Sequence, residues 1–137
     1  MKRAVIILFI AVTLVACKKT KFSPEGPTDI RIRNKTDQTF EGVTVTTSDD
    51  PTYNERVFSY GTVTAGSYTS YHRFDIAYPE ASITLTIGGV TYSTVKPDFQ
   101  YLTYIGQDKV TYELTVLDAV SHTLKINTIL VGPIDDL

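Results

Sequence analysis

The sequence predicts an all-β fold, and three observations lead to that prediction. Apolar and polar residues alternate with a period of two over several short segments, which is typical of half-buried strands. Turn-forming residues separate these segments at regular spacing. No helical periodicity is visible beyond the N-terminal apolar run. These features favour an antiparallel β-sandwich, Ig-like or transthyretin-like, of about seven or eight strands, with a closed small barrel as the alternative.

The first half of the domain contains four predicted strands. Alternation begins at Thr28, where Ile30 and Ile32 point to one face and charged residues to the other. It resumes in segment 40–47 after a cluster of turn-forming residues. Two further strands are predicted at 57–64 and 67–74, followed by a less regular stretch in which Pro79 would end any helix.

Residues 82–95 predict a β-hairpin, because Gly88-Gly89 separates two alternating runs and suits a two-residue turn. One face of this hairpin is then largely apolar and the other carries hydroxyl groups, as cross-strand pairing favours. The predicted pairs are Ile87–Val90, Leu85–Tyr92 and Ile83–Thr94 on one face, and Thr86–Thr91 and Thr84–Ser93 on the other.

Segments 109–117 and 123–131 predict the last antiparallel pair. A connection of about three to five residues around Ala119 would align their apolar positions, and a slip of one residue would break that alignment. The predicted pairs are Val116–Leu124, Leu114–Ile126 and Val110–Leu130.

The N-terminus has the organisation of a secretory leader. Lys2 and Arg3 precede an apolar run at 4–16, which is shorter than the roughly 20 residues of a membrane-spanning helix. The run ends in Leu14-Val15-Ala16-Cys17, which resembles the bacterial lipobox. The sequence therefore predicts a signal peptide at 1–16 and lipid on Cys17, since a thiol can carry a diacylglycerol as a thioether.

Residues 17–27 are predicted to form the lipidated cysteine and a tether, and residues 28–137 the β-sandwich domain. The tether is rich in proline and contains Lys18, Lys19 and Lys21. In Gram-negative lipoproteins an Asp after the cysteine favours inner-membrane retention, so the lipobox resemblance with Lys18 implies the outer membrane. The sequence leaves open whether the domain faces the periplasm or the surface.

Composition argues against nucleic acid as a partner. The chain has 13 basic and 15 acidic residues, and removal of the leader leaves a net charge of −4 with no basic patch in the domain. The single cysteine excludes an internal disulfide.

No motif predicts an enzyme, a cofactor or a metal site. His72 and His122 lack the partners that a catalytic triad or zinc site requires. Asp49, Asp50 and Glu55 lack the spacing of an EF-hand. We therefore expect no catalytic residues, no cofactor and no metal.

Aromatic side chains give the one candidate surface. Tyr60, Tyr68, Tyr71 and Tyr78 crowd one segment of a chain without tryptophan. Tyrosine is a good contact residue for proteins and sugars, but it is also a favoured strand residue. These four residues are the predicted ligand or partner surface.

Several short motifs follow the lipobox along the mature chain. They are Ile32-Arg33-Asn34-Lys35-Thr36, Phe40-Glu41-Gly42-Val43-Thr44-Val45, Tyr60-Gly61, Gly66-Ser67, Ser70-Tyr71, Phe74, Tyr78 and Val110-Thr111-Tyr112. In these motifs the chain resembles small Bacteroidetes-type lipoproteins that have a lipobox signal peptide and an Ig-like or transthyretin-like β-sandwich domain. The resemblance implies the fold and the envelope location, and no functional residue follows from it.

Two functions follow as expectations. The first is a membrane-anchored, non-catalytic accessory module that binds another envelope protein. The second is a lipoprotein that captures a glycan or peptide through its tyrosine-rich surface.

Overall fold

The structure, a computed structural model, describes residues 23–137. The predicted leader at 1–16, the predicted lipid site at Cys17 and the first part of the tether lie outside the described residues. Eight strands and one 3-10 turn, Phe99–Tyr101, make up the domain. The strands are β1 (Thr28–Asn34), β2 (Phe40–Thr46), β3 (Val57–Val63), β4 (His72–Phe74), β5 (Ser82–Ile87), β6 (Val90–Thr94), β7 (Asp108–Asp118) and β8 (Thr123–Pro133).

All eight strands belong to one mixed sheet in the order β3-β2-β5-β6-β8-β7-β1-β4. The sheet curls until its two edge strands, β3 and β4, approach each other, which gives a nearly closed barrel. The predicted all-β class and the number of strands are confirmed. No helix among residues 23–137 is long and apolar enough to cross a membrane.

The expectation that every strand pairs antiparallel is wrong for two of the seven ladders. β1 pairs with β7 in parallel, and β6 pairs with β8 in parallel. Alternation along a strand tells which side chains face the core but carries no information on the direction of a neighbour that is distant in sequence. The loop between β6 and β7, which includes the 3-10 turn, supplies the long connection that a parallel neighbour requires.

Both predicted antiparallel pairs have the register that the sequence indicated. In the first, Gly88 and Gly89 form the turn at φ angles of 55° and 79°. The pair Ile83–Thr94 is replaced by a side-chain contact, in which the Thr94 hydroxyl accepts a hydrogen bond from the Ile83 backbone N–H. The confirmed pairs are Ile87–Val90, Leu85–Tyr92, Thr86–Thr91 and Thr84–Ser93 in β5–β6, and Val116–Leu124, Leu114–Ile126 and Val110–Leu130 in β7–β8.

The core lies inside the barrel and is apolar apart from a few hydroxyl and amide groups. Tyr112 is its largest fully buried side chain, and its hydroxyl donates a hydrogen bond to the carbonyl of Tyr78. Buried aliphatic and aromatic side chains contribute most of the stability through the surface they remove from water. The fully buried members include Phe40, Phe74, Ile30, Ile32, Ile83 and Leu114.

The strand predicted at 67–74 is regular only over its last three residues. Residues before β4 still run alongside β1, but there the Thr69 hydroxyl, and not a backbone carbonyl, is the acceptor for a backbone N–H of β1. This hydroxyl accepts from the Ile32 N–H at 2.9 Å, while the Thr69 N–H donates to the Ile32 carbonyl at 2.9 Å. A threonine can satisfy both backbone groups of its neighbour locally, which interrupts the ladder.

Residues 23–27 contact the domain. The Gly26 N–H donates to the Ser23 carbonyl, and the Gln107 side chain donates to the carbonyls of Ser23 and Gly26 at 3.3 Å each. Gly26 is required sterically, because a Cβ at this position would lie 2.0 Å from the carbonyl oxygen of Asp75.

Candidate functional site

The two edges of the sheet are arms of one splayed hairpin. The first arm is β3, the turn is Thr64–Ser67, and the second arm is the segment 67–74 that ends in β4. The first arm pairs with β2 and the second follows β1, so within residues 23–137 no ladder joins the arms to each other. One long edge of β3 therefore faces a gap.

Asn34 holds the arms together at the turn. Its side-chain amide donates to the Val63 carbonyl of the first arm at 3.0 Å and to the Gln38 carbonyl at 2.6 Å. Its backbone N–H donates to the Ser67 carbonyl of the second arm at 3.0 Å, and its Oδ1 accepts from the Thr36 N–H and hydroxyl. The fully buried side chain thus connects β1 to the 36–38 loop and to the first arm, while the backbone N–H of the same residue connects β1 to the second arm.

Aromatic stacking closes the other end of the gap. The rings of Phe58 and His72 lie 3.5 Å apart at an angle of 8°. The His72 Nε2 atom lies 3.2 Å from a Glu55 carboxylate oxygen, and the Asp75 N–H donates to the Glu55 carbonyl. The gap is bounded by contacts at both ends and open along its length.

Between these contacts lies a groove of about 490 Å³, which we call the arm groove. Tyr60 lies partly buried in it, and its hydroxyl donates to the Ile30 carbonyl of β1 at 2.7 Å. The groove combines aromatic rings with many hydroxyl groups, so it can stack on a ligand and form hydrogen bonds with it. Its lining residues are Phe58, Ser59, Tyr60, Thr62, Val63, Thr64, Ser67, Tyr68, Thr69, Ser70 and Tyr71.

Tyr68 and Tyr71 form the outer rim of the arm groove and contact an arginine on the neighbouring strand. The Arg31 guanidinium carbon lies 4.3 Å from the ring centre of Tyr68 and 5.0 Å from that of Tyr71. Arg31 points away from the core because it alternates with the buried Ile30 and Ile32. The outside of the barrel therefore has an aromatic and cationic surface directly beside the groove.

Tyr78 lies elsewhere. It lines a separate cavity of about 620 Å³ with Asp50, Lys96 and Phe99, and its ring lies 5.4 Å from that of Phe99. The structure thus brings together three of the four predicted surface residues. Tyr78 is close to them in sequence, but the irregular chain after β4 carries it away.

Sequence reasoning did not identify Arg31 or the unpaired edge of β3 as parts of the site. The outward position of Arg31 was visible in the alternation of β1. Its contact with Tyr68 and Tyr71 depends on the second arm following β1, which no local pattern indicates.

The other polar groups of the described region do not assemble a further centre. Among residues 23–137 no group of three or more His, Cys, Asp or Glu side chains is placed to hold a metal ion. Asp50 accepts hydrogen bonds from the Thr52 N–H and hydroxyl, and these bonds lower the pKa of its carboxyl group. This carboxylate is thus used in a local turn.

Two buried phenols predict a loss of stability at alkaline pH. Burial raises the pKa of Tyr60 and of Tyr112 above the usual value of about 10. An unfolded chain releases both protons above about pH 10, whereas the folded chain keeps them. The stabilising effect of the neutral phenols is therefore complete below that pH and is lost as the pH rises.

We expect Tyr112→Phe to reduce the loss of unfolding free energy between about pH 8 and about pH 11, measured by urea denaturation. Tyr101→Phe is the control, because Tyr101 is 84% exposed. An equally steep loss in Tyr112→Phe and the wild type would contradict the assignment.

Comparison with other proteins identifies no family. No protein-family model matches the chain, and no curated protein matches it. The chain is similar to a protein from Eubacterium rectale solved by NMR, with 16% identity and a TM-score of 0.47. That similarity covers 80% of this chain and 93% of the other. These values establish no family membership, so the function must be inferred from the residues of this chain.

Proposed function

We propose that this protein is a lipid-anchored, non-catalytic interaction module of the cell envelope, which binds an extended segment of another envelope protein in the arm groove. The anchor is the lipid predicted on Cys17, and the expected location is the outer membrane. The proposal includes membership of the Bacteroidetes-type lipoproteins that the sequence resembles, and the eight-stranded all-β domain is consistent with it. The single curled sheet favours the small-barrel alternative over the Ig-like or transthyretin-like sandwich.

The single observation that carries the proposal is the unpaired edge of β3. A strand edge presents backbone donors and acceptors that another chain can bind by adding a strand. Here the edge faces the arm groove, and in the described residues no strand occupies it.

The dimensions of the arm groove suit an extended peptide. The contacts at Phe58 and Val63 leave residues 59–62 of β3 free between them, and four residues at roughly 3.3 Å each span about 13 Å. A peptide that pairs with β3 over about four residues would match this length. Every second side chain of the peptide would point toward Tyr60, and the others would point outward, away from the core. The groove could therefore recognise the side chains of the peptide as well as its backbone.

A glycan is the second candidate, favoured by the lining of three tyrosines and several hydroxyls. Tyrosine rings stack on sugar faces, and hydroxyls exchange hydrogen bonds with sugar hydroxyls. This candidate leaves the edge of β3 without a role, so we rank it second.

A photocrosslinking side chain placed at Thr62 tests the proposal in cells. Thr62 is exposed and lines the arm groove, so we expect it to form an adduct with a defined segment of one envelope protein. Mass spectrometry would identify the crosslinked segment. The control position is Lys125, which is exposed on β8 across the barrel.

Adducts that form equally from both positions, or from neither, would rule out binding in the arm groove. A Cys17→Ala strain tests the anchor separately, because loss of the lipid should reduce the specific adduct. An unchanged adduct in that strain would show that the lipid is dispensable for the interaction.

A further inference from the structure

Arg31 is held in a fixed position beside the arm groove. Its Nε donates to the Thr111 hydroxyl at 2.9 Å, and its guanidinium lies against the rings of Tyr68 and Tyr71. This arrangement leaves the terminal Nη atoms as donors. A guanidinium that is already oriented loses little freedom on binding a ligand.

The neighbouring cations on this face have acidic partners, whereas Arg31 has none among residues 23–137. Arg73 contacts Asp29 and Asp136, and Lys109 contacts Asp135. Since Arg73 and Lys109 lie on the two strands that flank β1, the absence of a carboxylate at Arg31 is local to the rim of the groove.

Positive charge is also in excess around Arg33. Arg33 and Lys35 share one carboxylate, that of Glu113, at 2.9 and 3.4 Å. The Arg33 guanidinium lies 4.9 Å from the Tyr68 ring, and its buried Nε has no acceptor in the described part of the chain. A domain with eight basic and fifteen acidic residues in 23–137 therefore has a locally positive rim at the arm groove.

We propose that Arg31, flanked by Tyr68 and Tyr71, is a carboxylate-binding subsite that selects acidic segments for the arm groove. This inference rests on the proposed function and names the chemistry of the bound segment. A strand added in the groove would lie beside the second arm, about 4.8 Å away. An outward Asp or Glu side chain on it would stand next to Tyr71 and within reach of Arg31.

The chemistry favours a carboxylate over a neutral group. The guanidinium can donate two parallel hydrogen bonds to a carboxylate, and charge-assisted bonds of this kind are stronger than neutral ones. The adjacent tyrosine rings cover part of the guanidinium, and partial removal from water strengthens its attraction to a carboxylate. The overall negative charge of the domain would disfavour acidic segments elsewhere on its surface.

Calorimetric titration of the full chain in detergent tests the subsite. The probes are three seven-residue peptides of alternating threonine and valine whose central outward residue is Glu, Gln or Lys. We expect the Glu peptide to bind on the order of tenfold more tightly than the Gln peptide, and the Lys peptide to bind most weakly. The preference should shrink as salt is raised, because the rim is partly exposed.

Arg31→Gln should abolish the preference for the Glu peptide, and Arg31→Lys should reduce it, since lysine keeps the charge but not the planar fork. Lys125→Gln removes one positive charge far from the groove and should keep the preference. Thermal melts would verify that the variants are folded. If Arg31→Gln is unfolded, the reduced preference of Arg31→Lys still tests the subsite.

Equal binding of the Glu and Gln peptides would overturn the carboxylate subsite while leaving the groove proposal intact. Binding of oligogalacturonate, an acidic glycan, without binding of any peptide would overturn both in favour of a sugar ligand. Failure of every probe would overturn the acidic-segment inference, and the crosslinking at Thr62 would then judge the groove independently.

Discussion

Leu85→Asp is expected to unfold the domain at neutral pH, whereas Thr84→Asp should leave it folded. Leu85 is 2% exposed and belongs to the core, while Thr84 is the next residue on β5 and is exposed. Burial of a carboxylate without a partner costs several kcal/mol, in addition to the roughly 2–5 kcal/mol lost with the leucine side chain. This total is comparable to the entire stability of a typical domain, about 5–15 kcal/mol.

Circular dichroism with a thermal melt would measure both variants. Thr84 is a matched control because its neighbours across the sheet, Thr44 and Ser93, are uncharged. Leu85→Asp should show no cooperative transition, and Thr84→Asp should melt within a few degrees of the wild type. If both variants melted alike, the assignment of the two faces of β5 would be wrong.

Asn34→Asp is expected to destabilise the domain by about 3 kcal/mol at neutral pH, because it places a carboxylate against two backbone carbonyls. The amide of Asn34 donates to the carbonyls of Gln38 and Val63, and an aspartate side chain cannot donate to either when ionised. The two hydrogen bonds that Thr36 donates to this side chain would remain, so the substitution removes only the two bonds that the Asn34 amide donates.

The destabilisation caused by Asn34→Asp should be smaller at low pH than at neutral pH. Burial and the facing carbonyls would raise the pKa of the new carboxyl group above its unfolded value of about 3.9. The folded variant then favours the protonated form, so its stability is highest below the unfolded pKa and falls as pH rises through the folded pKa. Urea denaturation at about pH 4 and about pH 7 should show a smaller deficit at the lower pH.

Gln38→Glu is the matched control, since it makes the same chemical change at an exposed position of the same turn. We expect it to change stability by less than about 0.5 kcal/mol. A deficit in Asn34→Asp that was small or independent of pH would mean that the side-chain amide does not hold the first arm against β1.

Much of the fold could be predicted because β5–β6 and β7–β8 are joined by short connections. The Gly88-Gly89 turn determines which residues pair across β5–β6, so one local feature yields an entire register. In β7–β8 the apolar alternation does the same, since a slip of one residue would turn Leu114 and Val116 away from the core.

The remaining features depend on contacts between distant parts of the chain. The parallel pairing of β1 with β7 joins residues about eighty positions apart, and no local pattern encodes its direction. The same holds for the arm groove, which exists because the second arm pairs with β1 instead of β3. Tyrosines at 60, 68 and 71 could be selected by composition, but their separation from Tyr78 required the three-dimensional path of the chain.

The hydrogen bonds of residues 23–27 to the domain have a consequence for where this protein could meet its partner. With Ser23 held against Gln107, only residues 18–22 separate the domain from an anchor at Cys17. Five residues span at most about 18 Å. A tether of that length would hold the domain beside the bilayer and raise the effective concentration of its binding surface for partners in the same membrane. The captured segment should therefore belong to a protein of the same membrane.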